Sequence, residues 1–103
     1  MSRIPKLLAF LKNEPDDSFT RYAVGLEYAK ENRLPEAIST LEDLLVRDPA
    51  YVPTYYMLAG YHKETGNLPR AKELYQIGMQ KAKAANDVHA LGELEAALDE
   101  FED

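Results

Sequence analysis

The hexapeptide Asn32–Ala37, NRLPEA, returns as Gly66–Ala71, GNLPRA, at a shift of 66 − 32 = 34. Leu34-Pro35-x-Ala37 becomes Leu68-Pro69-x-Ala71. A proline costs a helix nothing in its first turn, where the backbone N–H has no intrahelical partner. Asn and Gly are the residue types that tolerate the left-handed conformation ending a helix. Each hexapeptide therefore predicts the same turn, with one helix closing before it and another opening after it. Working outward, Pro15 and Pro49 are related by the same shift, 49 − 15 = 34, and mark where the second helices stop. Thr20 and Tyr22 likewise fall on Thr54 and Tyr56. The chain is built by repetition, and a repeat decides the fold before local structure does.

Between these marks the apolar residues keep helical spacing. Ala37, Leu41, Leu44 and Leu45 follow i, i+4, i+7, i+8, and Ala71, Leu74, Tyr75 and Met79 nearly repeat it. The pattern predicts six helices, over 4–13, 17–31, 35–47, 53–65, 69–84 and 87–101.

A helix–turn–helix unit of this period resembles the tetratricopeptide repeat, with its pattern W-x2-L-G-x2-Y, then A-x3-F, then P. The first unit supplies Val24, Gly25, Tyr28, Ala37, Leu41 and Pro49; the second supplies Tyr55, Leu58, Ala59, His62, Ala71 and Tyr75. The resemblance implies an all-α, right-handed solenoid in a single domain over 1–103: half of a preceding repeat in 4–17, full repeats in 18–51 and 52–85, and a capping helix in 86–103. Gly25, Ala59, Ala37 and Ala71 would let paired helices approach closely. The sequence departs from the family at Arg21, in the leading aromatic slot, which leaves Phe19 or Tyr22 to fill that space. Leu44 stands where a small residue is usual, with Gly78 closer to type, and Lys83 replaces the closing proline, so the fifth helix is free to run on. In the last segment Asp87 can cap a helix with the apolar stripe Val88, Leu91, Leu94 or Leu98, and Phe101.

Composition bounds the function. Twelve basic against eighteen acidic residues give a net charge of −6, with a sequence pI near 4.9, which argues against nucleic acid as a partner. There is no cysteine, hence no disulfide framework. The run Leu7–Leu11 is cut short by Lys12, Asn13 and Glu14, no stretch approaches the ~18 apolar residues of a membrane span, and a cytoplasmic protein is expected. Catalysis finds no support. His62 sits in a core tyrosine slot and reads as a packed histidine. His89 and Glu93 at i, i+4 are two metal-ligand types on an exposed face, which reads as a solvated pair. Ser2, Ser18 and Ser39 have no histidine beside them in sequence, and the five glycines are scattered rather than gathered in a phosphate loop. No enzyme, cofactor or metal is expected. The acidic end from Glu93 to Asp103 reads as a solvated helix face.

The expected function is protein binding. Phe19, Tyr22 and Leu26 form a stripe on the second helix apart from its core stripe, and Tyr56, Met57 and Gly60 hold the corresponding positions on the fourth. The resemblance implies that first helices line a concave groove, with Lys30 and Lys63 on its rim, open to a partner's peptide or helix. Tyr22, Leu26, Met57, Asp87 and Leu91 stand where family members that clamp a C-terminal carboxylate use Lys, Asn and Arg, so no such clamp is expected. The alternative is self-association: Ile4, Leu7, Leu8, Phe10 and Leu11 make the first helix apolar over much of its circumference, which suits a two-fold homodimer.

Overall fold

The computed structural model describes residues 1–102. Of the acidic end, Asp103 and the Glu102 side chain lie outside the described residues. All regular structure among the described residues is helical: α1 (Ile4–Asn13), α2 (Ser18–Lys30), α3 (Leu34–Arg47), α4 (Pro53–Glu64), α5 (Leu68–Ala84) and α6 (Val88–Glu102). Each helix lies within a residue or two of its predicted span. The chain divides into two compact units, Met1–Asp48 and Pro49–Asp103.

In the first unit α2 packs along α3, and α1 packs on α2. The α2–α3 pair closes where Gly25 meets Leu41: a Cβ on Gly25 would lie 2.5 Å from the Leu41 Cδ2. Ala37, Leu41 and Leu44 line the buried side of α3, and Val24 that of α2. Helix α1 buries only Ile4 and Leu11, with Leu7 half-buried, and leaves Leu8 and Phe10 exposed.

In the second unit α5 packs between α4 and α6. Here the close approach is at Gly78, where a Cβ would lie 2.7 Å from that of Tyr55 and 3.2 Å from both Leu94 methyls. Tyr55, Leu58, Ala59, Ala71, Leu74, Tyr75 and Leu94 form the core. Of the stripe expected on α6, Leu94 is fully buried and Leu91, Leu98 and Phe101 are partly covered, but Val88 is 79% exposed. The covered arc runs through Leu91, Leu94, Leu98 and Phe101, at i+3/i+4 steps, while Val88 sits at the helix mouth beyond it.

The turns follow one rule. After α2, Asn32 has φ 61° and its N–H donates to the Ala29 carbonyl at 3.0 Å, while Arg33 N–H donates to the Tyr28 carbonyl at 2.8 Å. After α4, Gly66 (φ 86°) donates to Lys63 at 3.1 Å and Asn67 to His62 at 2.9 Å. This is the paired 5→2 and 6→1 closure that satisfies a helix's last carbonyls. The same closure appears a third time after α5, unanticipated by the repeat: Asn86 (φ 56°) donates to Lys83 at 3.1 Å and Asp87 to Ala82 at 2.9 Å. After the second and third turns the next helix is then capped by the side chain of the residue just past the turn, a cap that Arg33 does not make after the first. Asn67 Oδ1 accepts from Arg70 N–H at 3.4 Å, and Asp87 Oδ1 from Ala90 N–H at 3.0 Å. With Lys83 in place of proline, α5 does run longer than α3, 17 residues against 14.

Candidate functional site

The framework of each repeat is set by the side chain near the start of its first helix. In the second unit this is Tyr55, buried, whose hydroxyl donates to the Pro49 carbonyl at 2.5 Å. In the first it is Arg21, its equivalent at a shift of 55 − 21 = 34. Arg21 Nη2 donates to the Pro15 carbonyl at 2.6 Å, and its Nη1 reaches Asp43 Oδ2 at 3.1 Å. The two prolines are themselves one repeat apart, so a guanidinium makes the contact that a phenol makes in the next repeat. This corrects the expectation that Phe19 or Tyr22 fills the slot. Arg21 fills it, and Phe19 is 68% exposed.

The expected binding residues are described unit by unit. On α2, Phe19 projects from the first turn, Tyr22 and Leu26 are half-buried, and Lys30 is exposed with its ammonium 3.8 Å from Glu27. Glu27 also takes Arg3 at 3.5 Å, which ties the start of α1 to α2. On α4, Tyr56 is 41% exposed and sets its ring edge against Tyr75, centroids 6.3 Å apart at 66°. Met57 and Gly60 are partly covered, and a Cβ on Gly60 would meet nothing within 4 Å. Lys63 is engaged within its own unit: its ammonium lies 6.0 Å from the centroid of the Phe101 ring of α6. Helix α6 thus reaches back beside the α4 patch, an arrangement that local sequence spacing does not reveal. Glu100 belongs to the same neighbourhood. Burial first, then the nearby Tyr56 and Glu100 charges, push the Tyr75 phenol above its ordinary pKa.

His62 and His89 stand in different settings. His62 is buried, and its carbonyl accepts the turn contacts from Asn67 N–H and the Thr65 hydroxyl. His89 Nε2 lies 3.6 Å from Glu93 with both side chains well exposed. Among the described residues no three His, Cys, Asp or Glu side chains gather as a metal site would require, and no helix is long and apolar enough to cross a membrane. A cleft of about 250 Å³ opens in the first unit between Pro15, Ser18, Arg21, Arg47 and Asp48. Its guanidiniums both bond Asp43 Oδ2, Arg21 at 3.1 Å and Arg47 at 2.9 Å, and Ser18 donates to Asp48 at 2.5 Å.

No protein-family model matches the chain, and no curated protein matches it significantly. Solved structures do. A crystal structure of a tetratricopeptide repeat domain protein from Salinibacter ruber is 32% identical with a TM-score of 0.81, covering 84% of this chain and 96% of that one. A solution structure of a tetratricopeptide repeat domain protein from the same organism is 33% identical with a TM-score of 0.82, covering 85% and 89%. A protein of Bordetella parapertussis superimposes with a TM-score of 0.84 over 99% of this chain and 89% of its own at 22% identity, a likeness of fold. With sequence identity to both Salinibacter ruber structures extending over most of each chain, and with the same turn and helix-pair geometry in each unit, the chain belongs to the tetratricopeptide repeat family.

Proposed function

We propose that the chain is a protein-interaction module, each of its two units holding a partner's peptide or amphipathic helix on the aromatic and apolar side chains of its own first helix: Phe19, Tyr22 and Leu26 with Lys30 on α2 in one, and Tyr56, Met57 and Gly60 with Lys63 on α4 in the other. The observation that carries the reading is the exposure of Phe19, a large apolar side chain that stands in solvent one turn from a fully formed core. Two further features support it. Tyr22 and Tyr56 are repeat-equivalent, 56 − 22 = 34, so each unit offers an aromatic at the same position of the same helix. The patch residues are also adaptable types, with Tyr giving rigid amphipathic area and Met a flexible gap-filler. Membership of a family of interaction repeats points the same way.

The test is peptide selection from a displayed random library on the wild-type chain, followed by calorimetric titration of the selected peptides against Phe19→Ser, Tyr22→Glu and Tyr56→Glu. Truncation of an aromatic anchor is expected to cost about 1–3 kcal/mol, roughly 5- to 150-fold in affinity. Peptides that bind all three variants as tightly as the wild type would show that the patch is not the binding surface.

A further inference from the structure

Among the described residues two halves of a repeat stand unmatched. In the first unit α2 covers α3 along Ala37, Leu41 and Leu44. A shift of 34 carries those three positions onto Arg3, Leu7 and Phe10 of the α1 region. There Arg3 is exposed, Leu7 half-buried and Phe10 51% exposed. So α1 is a second helix whose first helix is missing among the described residues. In the second unit α6 meets Gly78 through Leu94, beside the contact that Tyr55 of α4 makes with the same glycine. Its start is related to that of α4 by a shift of 88 − 53 = 35. At that shift Leu58 and Tyr61, both buried on α4, become Glu93 and Ala96, both exposed. So α6 is a first helix whose second helix is missing among the described residues.

The two halves also carry opposite charge. Residues 1–13 hold Arg3, Lys6 and Lys12 and no acid, while residues 86–103 hold Asp87, Glu93, Glu95, Asp99, Glu100, Glu102 and Asp103 and no Lys or Arg. We propose that α1 of one copy docks on α6 of a second copy, so that the two complete one repeat between them. The contact is heterologous: each copy uses one face to receive and the other to dock, and two-fold pairing of like faces is disfavoured because it would bring like charges together. Phe10 supplies the apolar anchor, and the basic and acidic side chains set the direction. This inference is independent of the peptide-binding reading and involves other residues.

Light scattering after size exclusion tests it, from about 10 μM to 1 mM protein and from about 50 to 500 mM salt, since a contact of exposed charges is screened over that range. The expected result is an average mass that rises above 11.7 kDa with concentration and falls back at high salt. Phe10→Glu blocks the α1 face, and Glu93→Lys with Ala96→Lys blocks the α6 face. Each variant alone is expected to associate at least about tenfold more weakly than the wild type, while their equimolar mixture, which still holds one intact face of each kind, pairs into a dimer. Circular dichroism confirms that each variant is helical, and Lys6→Glu replaces Phe10→Glu if the latter fails to fold. A wild type that stays at monomer mass at the highest concentration and lowest salt overturns the proposal. So does a singly blocked variant that associates like the wild type, or a mixture that does not pair.

Discussion

Two threonines one repeat apart show how much a single neighbour decides. Thr20 is buried and its hydroxyl donates to Asp17 Oδ2 at 2.7 Å. Thr54 is its equivalent, fully buried, but the position matching Asp17 is Tyr51, and Thr54 Oγ1 has no hydrogen-bond partner among the described residues. A buried hydroxyl without a partner costs about 1–3 kcal/mol, and an apolar group of the same shape avoids that cost. Thr54→Val is therefore expected to be neutral or to stabilise by up to about 1 kcal/mol, whereas Thr20→Val should cost about 1 kcal/mol by stranding Asp17. Urea melts of the two variants check the difference in sign. Tyr75 gives a second prediction. Its folded pKa lies above the unfolded one, so the folded state holds the phenolic proton more tightly. That contribution is fully present below about pH 10 and is lost as pH rises through the raised value. Stability followed from about pH 8.5 to about pH 11 should fall less steeply in Tyr75→Phe than in the wild type. An equal fall in both would remove the assignment.

At the scale of helices, glycine does two opposite jobs. Gly25 lies where α2 meets α3, and a methyl there would drive into Leu41, which is fully buried and has no room to yield. Gly25→Ala is expected to destabilise by about 1–3 kcal/mol despite alanine's better helix propensity. Gly60 is equally mid-helix on α4 but faces open space. Gly60→Ala should instead stabilise by up to about 1 kcal/mol, and a peptide seated closely over it should bind more weakly. Thermal melts separate the two glycines. The helices themselves are legible in the sequence because their punctuation is local: Pro35 and Pro69 open them, Asn32 and Gly66 close them, and the apolar spacing fills the interval. The break after the fifth helix is read from Asp87 as a cap, but its left-handed closure at Asn86 falls off the period of the repeat, at a shift of 86 − 66 = 20 from Gly66. Its signal is present in the pair Asn86-Asp87, one residue suited to positive φ and the next to capping.

For the whole chain, the useful division is between residues that hold the fold and residues that stand free of it. Phe19→Ser removes a large side chain that is mostly in solvent, so its effect on unfolding free energy should stay within about 0.5 kcal/mol. Combined with a loss of peptide affinity, that outcome separates binding from folding, and a large drop in stability would mean Phe19 is a packing residue. The candidate patch is legible as a stripe of residue types at helical spacing. Its surroundings are not: Lys63 facing Phe101, Tyr56 edge-on to Tyr75, and Arg21 reaching Asp43. Each joins residues whose meeting depends on how the chain packs, and local spacing carries no term for such encounters.

The sequence by itself determined the repeat, the number of helices, their ends and the small residues at which paired helices meet. Those features follow from backbone preferences of proline, asparagine and glycine and from helical periodicity, all of which act within a few residues. Tertiary structure alone decided that the Arg21 guanidinium also reaches Asp43 of α3, that the Tyr56 ring stands edge-on to Tyr75, and that Phe101 comes to rest beside Lys63. The reason is that such ion pairs and ring contacts are settled by whichever groups distant segments bring together.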